Sequence, residues 1–167
     1  YIQNTEEAYK VVFARDGIAF VENRPAPAAE IIDFIRSNGA AAVMAHPIHT
    51  KFKPDILYNV VRELQQAGLS GIEVFHASQP RANRQLYLDI IRDLGLITAG
   101  GSDFHGGTAH PENKLGTGRR HNLNMPYMVL EQLHAAANAP AANTAAPLSS
   151  ASPVPPASYY AELEKYL

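Results

Sequence analysis

A chain of 167 residues, 46% apolar and 18% charged, has enough apolar content to bury a core, but it is short for a complete α/β barrel, which takes about 250 residues. Its formal net charge of −2 gives no overall basic field, so no extended nucleic-acid-binding surface is expected and any such substrate must be met at a local site. The absence of cysteine excludes disulfides, thiolate metal sites and a cysteine nucleophile; it leaves His, Asp and Glu as metal donors and is compatible with a cytoplasmic location.

The chain opens on Tyr1-Ile2-Gln3-Asn4, with neither an initiator methionine nor a signal pattern, and reads as a piece of something longer. Thr5 is the expected N-cap of a first helix, with Glu6 and Glu7 in its first turn. Ala8, Val11 and Val12 share a face of it, and Asp16-Gly17 ends it. Pro27 to Ser37 predicts a second helix with Ile31, Ile32, Phe34 and Ile35 as its apolar stripe, stopped by Asn38-Gly39. A short apolar strand over Ala41–Ala45 ends at His46-Pro47. Pro54 starts a helix that buries Ile56, Leu57, Val60, Val61 and Leu64 and stops at Gly68. Gly71–Phe75 is the next strand, Pro80–Leu94 the next helix, and Leu96–Ala99 the strand before Gly100-Gly101-Ser102-Asp103-Phe104-His105-Gly106.

Short apolar strands alternating with helices imply parallel strands covered by helices. Residues 135–158 are nearly all Ala, Pro, Ser, Asn and Thr, too poor in apolar side chains to offset ordering entropy, and are expected to form a flexible linker. Residues 159–167 then form a short terminal helix that docks back, or a frayed end. No run approaches the roughly 18 consecutive apolar residues that span a bilayer, so no membrane partner is expected.

Three successive strands end in polar residues: His46, then His76, then Asp103 with His105. Parallel strands share one C-terminal rim, where chemistry sits in barrels and open sheets. Asp103 and His105 leave on one face if the backbone there is extended, and Pro47 is expected to hold His46 extended. Two histidines and a carboxylate suit Zn, Mn or Fe. Taken singly, each has an ordinary explanation as a turn, cap or hydrogen-bonding residue. Glu73 reads either as a buried carboxylate behind the site or as a solvated residue. His49 and Lys51, after the first motif, lie either over the site or in a solvated loop, the latter being the ordinary reading; His110 lies in a polar loop and His134 on a helix surface. Arg119, in Arg119-Arg120-His121, is either a phosphate contact or a surface charge.

Ala45-His46-Pro47, Gly71-Ile72-Glu73-Val74-Phe75-His76 and Thr98-Ala99-Gly100-Gly101-Ser102-Asp103-Phe104-His105-Gly106 resemble the later motifs of the polymerase-and-histidinol-phosphatase (PHP) phosphoesterases. The likeness runs over residues 1–125. It points to the branch that hydrolyses nucleoside 3′,5′-bisphosphates and trims short RNA from its 5′ end. The resemblance implies an α/β fold, the C-terminal part of a distorted seven-stranded (βα)7 barrel occupying residues 1–134, with the N-terminal half of that domain missing from this chain. It implies His46, Asp103 and His105 as catalytic metal ligands, and divalent ions, Mn²⁺ first and Zn²⁺, Fe²⁺ or Mg²⁺ as alternatives; His76 at the rim and Arg119 are the candidate substrate contacts, with packing or exposure the other reading of His76. The implied partner is a small phosphorylated substrate, a nucleotide or short RNA. The family's opening His-x-His motif does not occur in these residues, so the competing readings are a truncated, non-catalytic metal- or nucleotide-binding half-barrel and an amidohydrolase-type metalloenzyme.

Overall fold

The computed structural model describes residues 2–22, 24–139 and 154–167. In chain order its elements are α1 (Thr5–Glu7), α2 (Ala28–Ser37), β1 (Val43–Met44), α3 (Pro54–Gln66), β2 (Gly71–His76), α4 (Arg81–Leu94), β3 (Ile97–Gly101), α5 (Gly106–Ala109), β4 (Asn113–Lys114), β5 (Gly118–Arg119), α6 (Met128–Asn138) and α7 (Ala157–Leu163).

Parallel neighbours need a crossover connection, usually a helix that returns the chain to the end at which the previous strand began, and a helix stands between each pair of these strands. Accordingly β1, β2 and β3 form a parallel sheet in that order, Val43 beside Gly71 and Gly71 beside Ile97. All six residues of β2 are buried, as expected of a central parallel strand covered on both faces. Ile72 and Val74 share a core with Leu57 and Val61 of α3 and with Leu88 and Ile91 of α4. Each fully buried side chain of this size contributes about 1.5–3 kcal/mol. Gly95 ends α4 at φ 66°, donating its N–H to the Ile91 and Arg92 carbonyls; a left-handed cap of this kind favours glycine.

Two further contacts tie distant segments to the sheet. The buried Arg36 of α2 donates to the carbonyls of Ala136 at 2.5 Å and Ala139 at 3.3 Å, placing a cation at the C-terminal end of α6, where the helix dipole favours it. Tyr159, Tyr160 and Leu163 of α7 are buried. The Tyr159 hydroxyl accepts the Thr98 N–H at 3.0 Å and the Tyr160 hydroxyl donates to the Leu96 carbonyl at 3.1 Å. Burial pushes both phenols up to about 12.

Several expectations are corrected. Asn4, not Thr5, caps the first helix, its side chain accepting the Glu7 N–H. The helical turns end at Val12, after a wide π-type turn over Ala8–Val12, rather than at Asp16-Gly17, and bury no residue. In α2 only Ile32 of the predicted stripe is fully buried, while Ile31 and Phe34 are exposed. Ile56 of α3 is likewise exposed. Helix α6 runs to Asn138 and α7 begins at Ala157, so the span 135–158, expected to be a linker, is helical at both ends. Residues 140–153 of it lie outside the described residues. Among the described residues no helix is long and apolar enough to cross a membrane.

Candidate metal centre

The three sheet strands deliver their final residues to one rim, and each departs from regular geometry there. After β1 the chain enters a 3₁₀ turn over Pro47–Thr50, with His46 as its cap at φ 48° and ψ 51°. The extended His46 expected from Pro47 is therefore not found. After β3, Asp103 sits at φ 53° and His105 at φ −113°, ψ 30°, so the extended Asp103–His105 segment is not found either. His and Asp tolerate the left-handed region better than most residues. Such strain costs about 1–3 kcal/mol at each position and persists where the surroundings impose it.

Strand β2 carries its own irregularity. Its ladder to β3 shifts between Glu73 and Phe75, which pair with the consecutive residues Ala99 and Gly100. Three residues apart on a regular strand, Glu73 and His76 would face opposite ways. A bulge re-aims side chains, and here Glu73 approaches His46 while His76 approaches both His46 and Asp103.

The resulting geometry is close. Asp103 Oδ2 lies 3.6 Å from His76 Nε2, and Asp103 Oδ1 lies 3.8 Å from His46 Nε2. His46 Nε2 is also 3.7 Å from Glu73 Oε2, which accepts the His46 backbone N–H at 2.8 Å. The donor atoms of His46, His76 and Asp103 all lie within 4.8 Å of one another. Ligands bound at about 2.1 Å in a tetrahedron stand about 3.4 Å apart, so these separations fit donors gathered around one ion. His76 is only 1% exposed, and its Nε2 has no hydrogen-bond partner. A buried polar atom left in that state is costly unless something else satisfies it. On the other side of the ring, Ser78 Oγ lies 2.9 Å from His76 Nδ1. Nδ1 also accepts the Ser78 backbone N–H at 3.3 Å, an arrangement that carries the ring proton on Nε2; an ion at Nε2 would call for the other tautomer, with Nδ1 donating to the Ser78 hydroxyl. Among the described residues neither Asp103 nor Glu73 has a Lys or Arg partner. Two carboxylates and two imidazoles without a cation form a donor set that fits a divalent metal.

No family model matches the chain. It is 29% identical over 98 residues to the phosphoribosyl 1,2-cyclic phosphate 1,2-diphosphodiesterase of Eggerthella lenta, a match covering 59% of this chain and 36% of that protein. It is 25% identical over 104 residues to the 5′-3′ exoribonuclease of Haemophilus influenzae, covering 62% and 38% respectively. The names of these two relatives support the resemblance to the PHP-type phosphoesterases read from the sequence motifs. The chain spans 36–38% of the length of these two relatives. A Bifidobacterium adolescentis protein assigned provisionally as a metal-dependent phosphoesterase superposes with a TM-score of 0.54 at 22% identity, over 77% of this chain and 43% of that one. That likeness concerns the fold, an α/β arrangement with a parallel sheet.

The predicted site residues divide. His46 and Asp103 come together with His76, which the sequence reading had assigned to substrate. His105 stands beside them, its Nδ1 3.6 Å from Asp103 Oδ1 and 2.9 Å from the Asp103 carbonyl, with an exposed side chain. Arg119 does not reach the trio through any described contact; it pairs with Glu112 at 2.6 Å. That pairing and the backbone N–H of Glu112 lower the Glu112 carboxyl from its ordinary value, the backbone bond being the larger cause. His110 lies 3.8 Å from the same carboxylate and is exposed. Glu73 takes the buried one of its two readings. Ser78 was not singled out from the sequence; a hydroxyl two residues after a rim histidine was the available signal.

Proposed function

We propose that the chain carries part of the metal centre of a phosphoesterase, with His46, His76 and Asp103 as donors to one ion. The observation that carries this reading is the buried, unpartnered Nε2 of His76 facing the Asp103 carboxylate beside His46. When bound, divalent ions in such a centre polarise the phosphoryl oxygen and generate the attacking hydroxide from water near neutral pH. The chain's own residues supply orientation. Ser78 fixes the His76 ring, Glu73 holds the His46 backbone, and Asn113 donates to the Asp103 carbonyl at 3.2 Å. Asp103 turns one oxygen toward His76 and the other toward His46 and His105.

We place residues 1–134 as the C-terminal part of a (βα)7-type barrel and Mn²⁺ first among the ions, in a cytoplasmic enzyme. The names of the curated relatives share a phosphate ester of ribose. Our reading of the substrate is a nucleotide phosphate ester, a nucleoside 3′,5′-bisphosphate or the 5′ end of a short RNA. The test is phosphate release from a nucleoside 3′,5′-bisphosphate with Mn²⁺ and after chelation, using this chain and a version extended to the relatives' full length. We expect the extended protein to lose activity on chelation and regain it with Mn²⁺, and this chain alone to be far slower. Activity that persists in chelator contradicts the proposal.

A further inference from the structure

The rim holds one imidazole more than the trio uses. His49 belongs to the turn Pro47–Thr50, and its backbone N–H donates to the His46 carbonyl at 2.9 Å. In a 3₁₀ turn side chains three apart eclipse each other, so the spacing His46-x-x-His49 stacks two imidazoles on one side. The rings bear this out: the His49 centroid lies 5.6 Å from that of His46 and 6.4 Å from that of His76, both edge-on. The turn is fastened independently of either ring, by Thr50 Oγ1 donating to the Pro47 carbonyl at 2.7 Å and by the Phe52 N–H donating to Thr50 Oγ1 at 3.3 Å. Among the described residues the His49 ring makes no hydrogen bond, and its ring-to-ring contacts are with these two histidines.

We propose that His49 is a fourth protein donor to the ion held by His46, His76 and Asp103. The inference rests on the metal reading above and deepens it. The three donors His46, His76 and Asp103 are buried or half-buried, and His49, outside the 4.8 Å group but exposed at its edge, would close the site from the solvent side by turning its ring inward. An exposed side chain changes rotamer within nanoseconds, so this donor can join without movement of the sheet. A set of three imidazoles and one carboxylate favours imidazole-seeking ions such as Zn²⁺ and Co²⁺ over Mg²⁺, which keeps oxygen ligands and water. The centre should accordingly discriminate against Mg²⁺ more strongly than the trio alone would.

The experiment is titration of the metal-free 167-residue chain with Co²⁺, followed by the visible absorption of the bound ion, which reports its coordination. It is run on the unaltered chain and on His49→Ala, His49→Gln and Lys51→Ala. Lys51→Ala changes an exposed neighbour of the same turn. Both His49 variants should bind Co²⁺ about tenfold or more weakly, in keeping with the loss of a group at a metal site, and with a changed spectrum. Lys51→Ala should match the unaltered chain, and far-ultraviolet circular dichroism of the metal-free proteins should be the same. Unchanged affinity and spectrum in the His49 variants overturn the proposal, as does an equal loss in Lys51→Ala. If the unaltered chain fails to bind Co²⁺, it is the metal reading itself that falls, and this proposal with it.

Discussion

Two groups of histidines and carboxylates flank Asp103, and they differ in what surrounds them. In the first, His46 and His76 face Asp103 and Glu73, His76 is buried, and no described Lys or Arg neutralises either carboxylate. In the second, His105 and His110 lie ring to ring at 5.8 Å and His110 stands beside Glu112, but Arg119 already occupies that carboxylate and the residues are exposed. Proximity of imidazole to carboxylate is common to both. What separates them is uncompensated negative charge together with a buried nitrogen that nothing else satisfies, and that combination is what a cation would resolve.

The largest effect should come from Asp103→Asn. The substitution is nearly isosteric but removes an anionic donor that three histidines approach. Isothermal titration with Mn²⁺ or Zn²⁺ should show affinity falling by about 100-fold or more, beyond the range typical of outer-shell changes, with the thermal midpoint of the metal-free chain little altered. An unchanged affinity would remove the first group's claim to be a metal centre. Ser78→Ala should weaken binding less, by about tenfold, because the His76 ring loses the hydroxyl that would accept its Nδ1 proton when Nε2 is a donor; an effect as large as that of Asp103→Asn would instead mean that Ser78 is itself a ligand.

Much of this arrangement was legible in the sequence. The helix starts at Pro54 and the glycine stops at Gly68 and Gly95 marked the elements, and the run of His46, His76 and Asp103 at strand ends marked the rim. Backbone conformation was not legible. Proline's influence on the preceding residue argued for an extended His46, whereas the 3₁₀ turn that follows imposes the left-handed region. Nor was the β2 bulge visible, and the bulge is what brings Glu73 and His76 to the same cluster. For the N-terminal segment the apolar periodicity was real but misleading: Tyr9, Val11, Phe13, Ile18, Phe20 and Val21 are exposed, since periodicity states which face can be buried and not whether a partner is present. The docking of residues 159–167 depended on two phenols finding backbone partners in and beside β3, which composition does not encode.

Those phenols give a smaller, pH-dependent effect on the strand that leads to Asp103. Their folded values of about 12 stand above the ordinary 10.0, so the neutral form is the one stabilised. The contribution is complete below pH 10 and is lost as pH rises toward 12. Thermal melts should show the midpoint falling across that window, and falling less when Tyr159 and Tyr160 are both Phe, after correction for the lost hydrogen bonds at neutral pH. A pH profile indifferent to the double substitution would show that α7 does not brace β3. The smallest effect belongs to the second group: Glu112→Gln should release Arg119 and leave metal affinity within error of the original. A marked loss of affinity there would erase the distinction between the two groups.

The most direct test is to locate the ion. Crystals of the chain grown with Zn²⁺ and measured at the zinc absorption edge should give anomalous density about 2.0–2.2 Å from a ring nitrogen of His46, a ring nitrogen of His76 and a carboxylate oxygen of Asp103. Density instead at His105, His110 and Glu112, or no density at the trio with His76 Nε2 still unpartnered, would contradict the account.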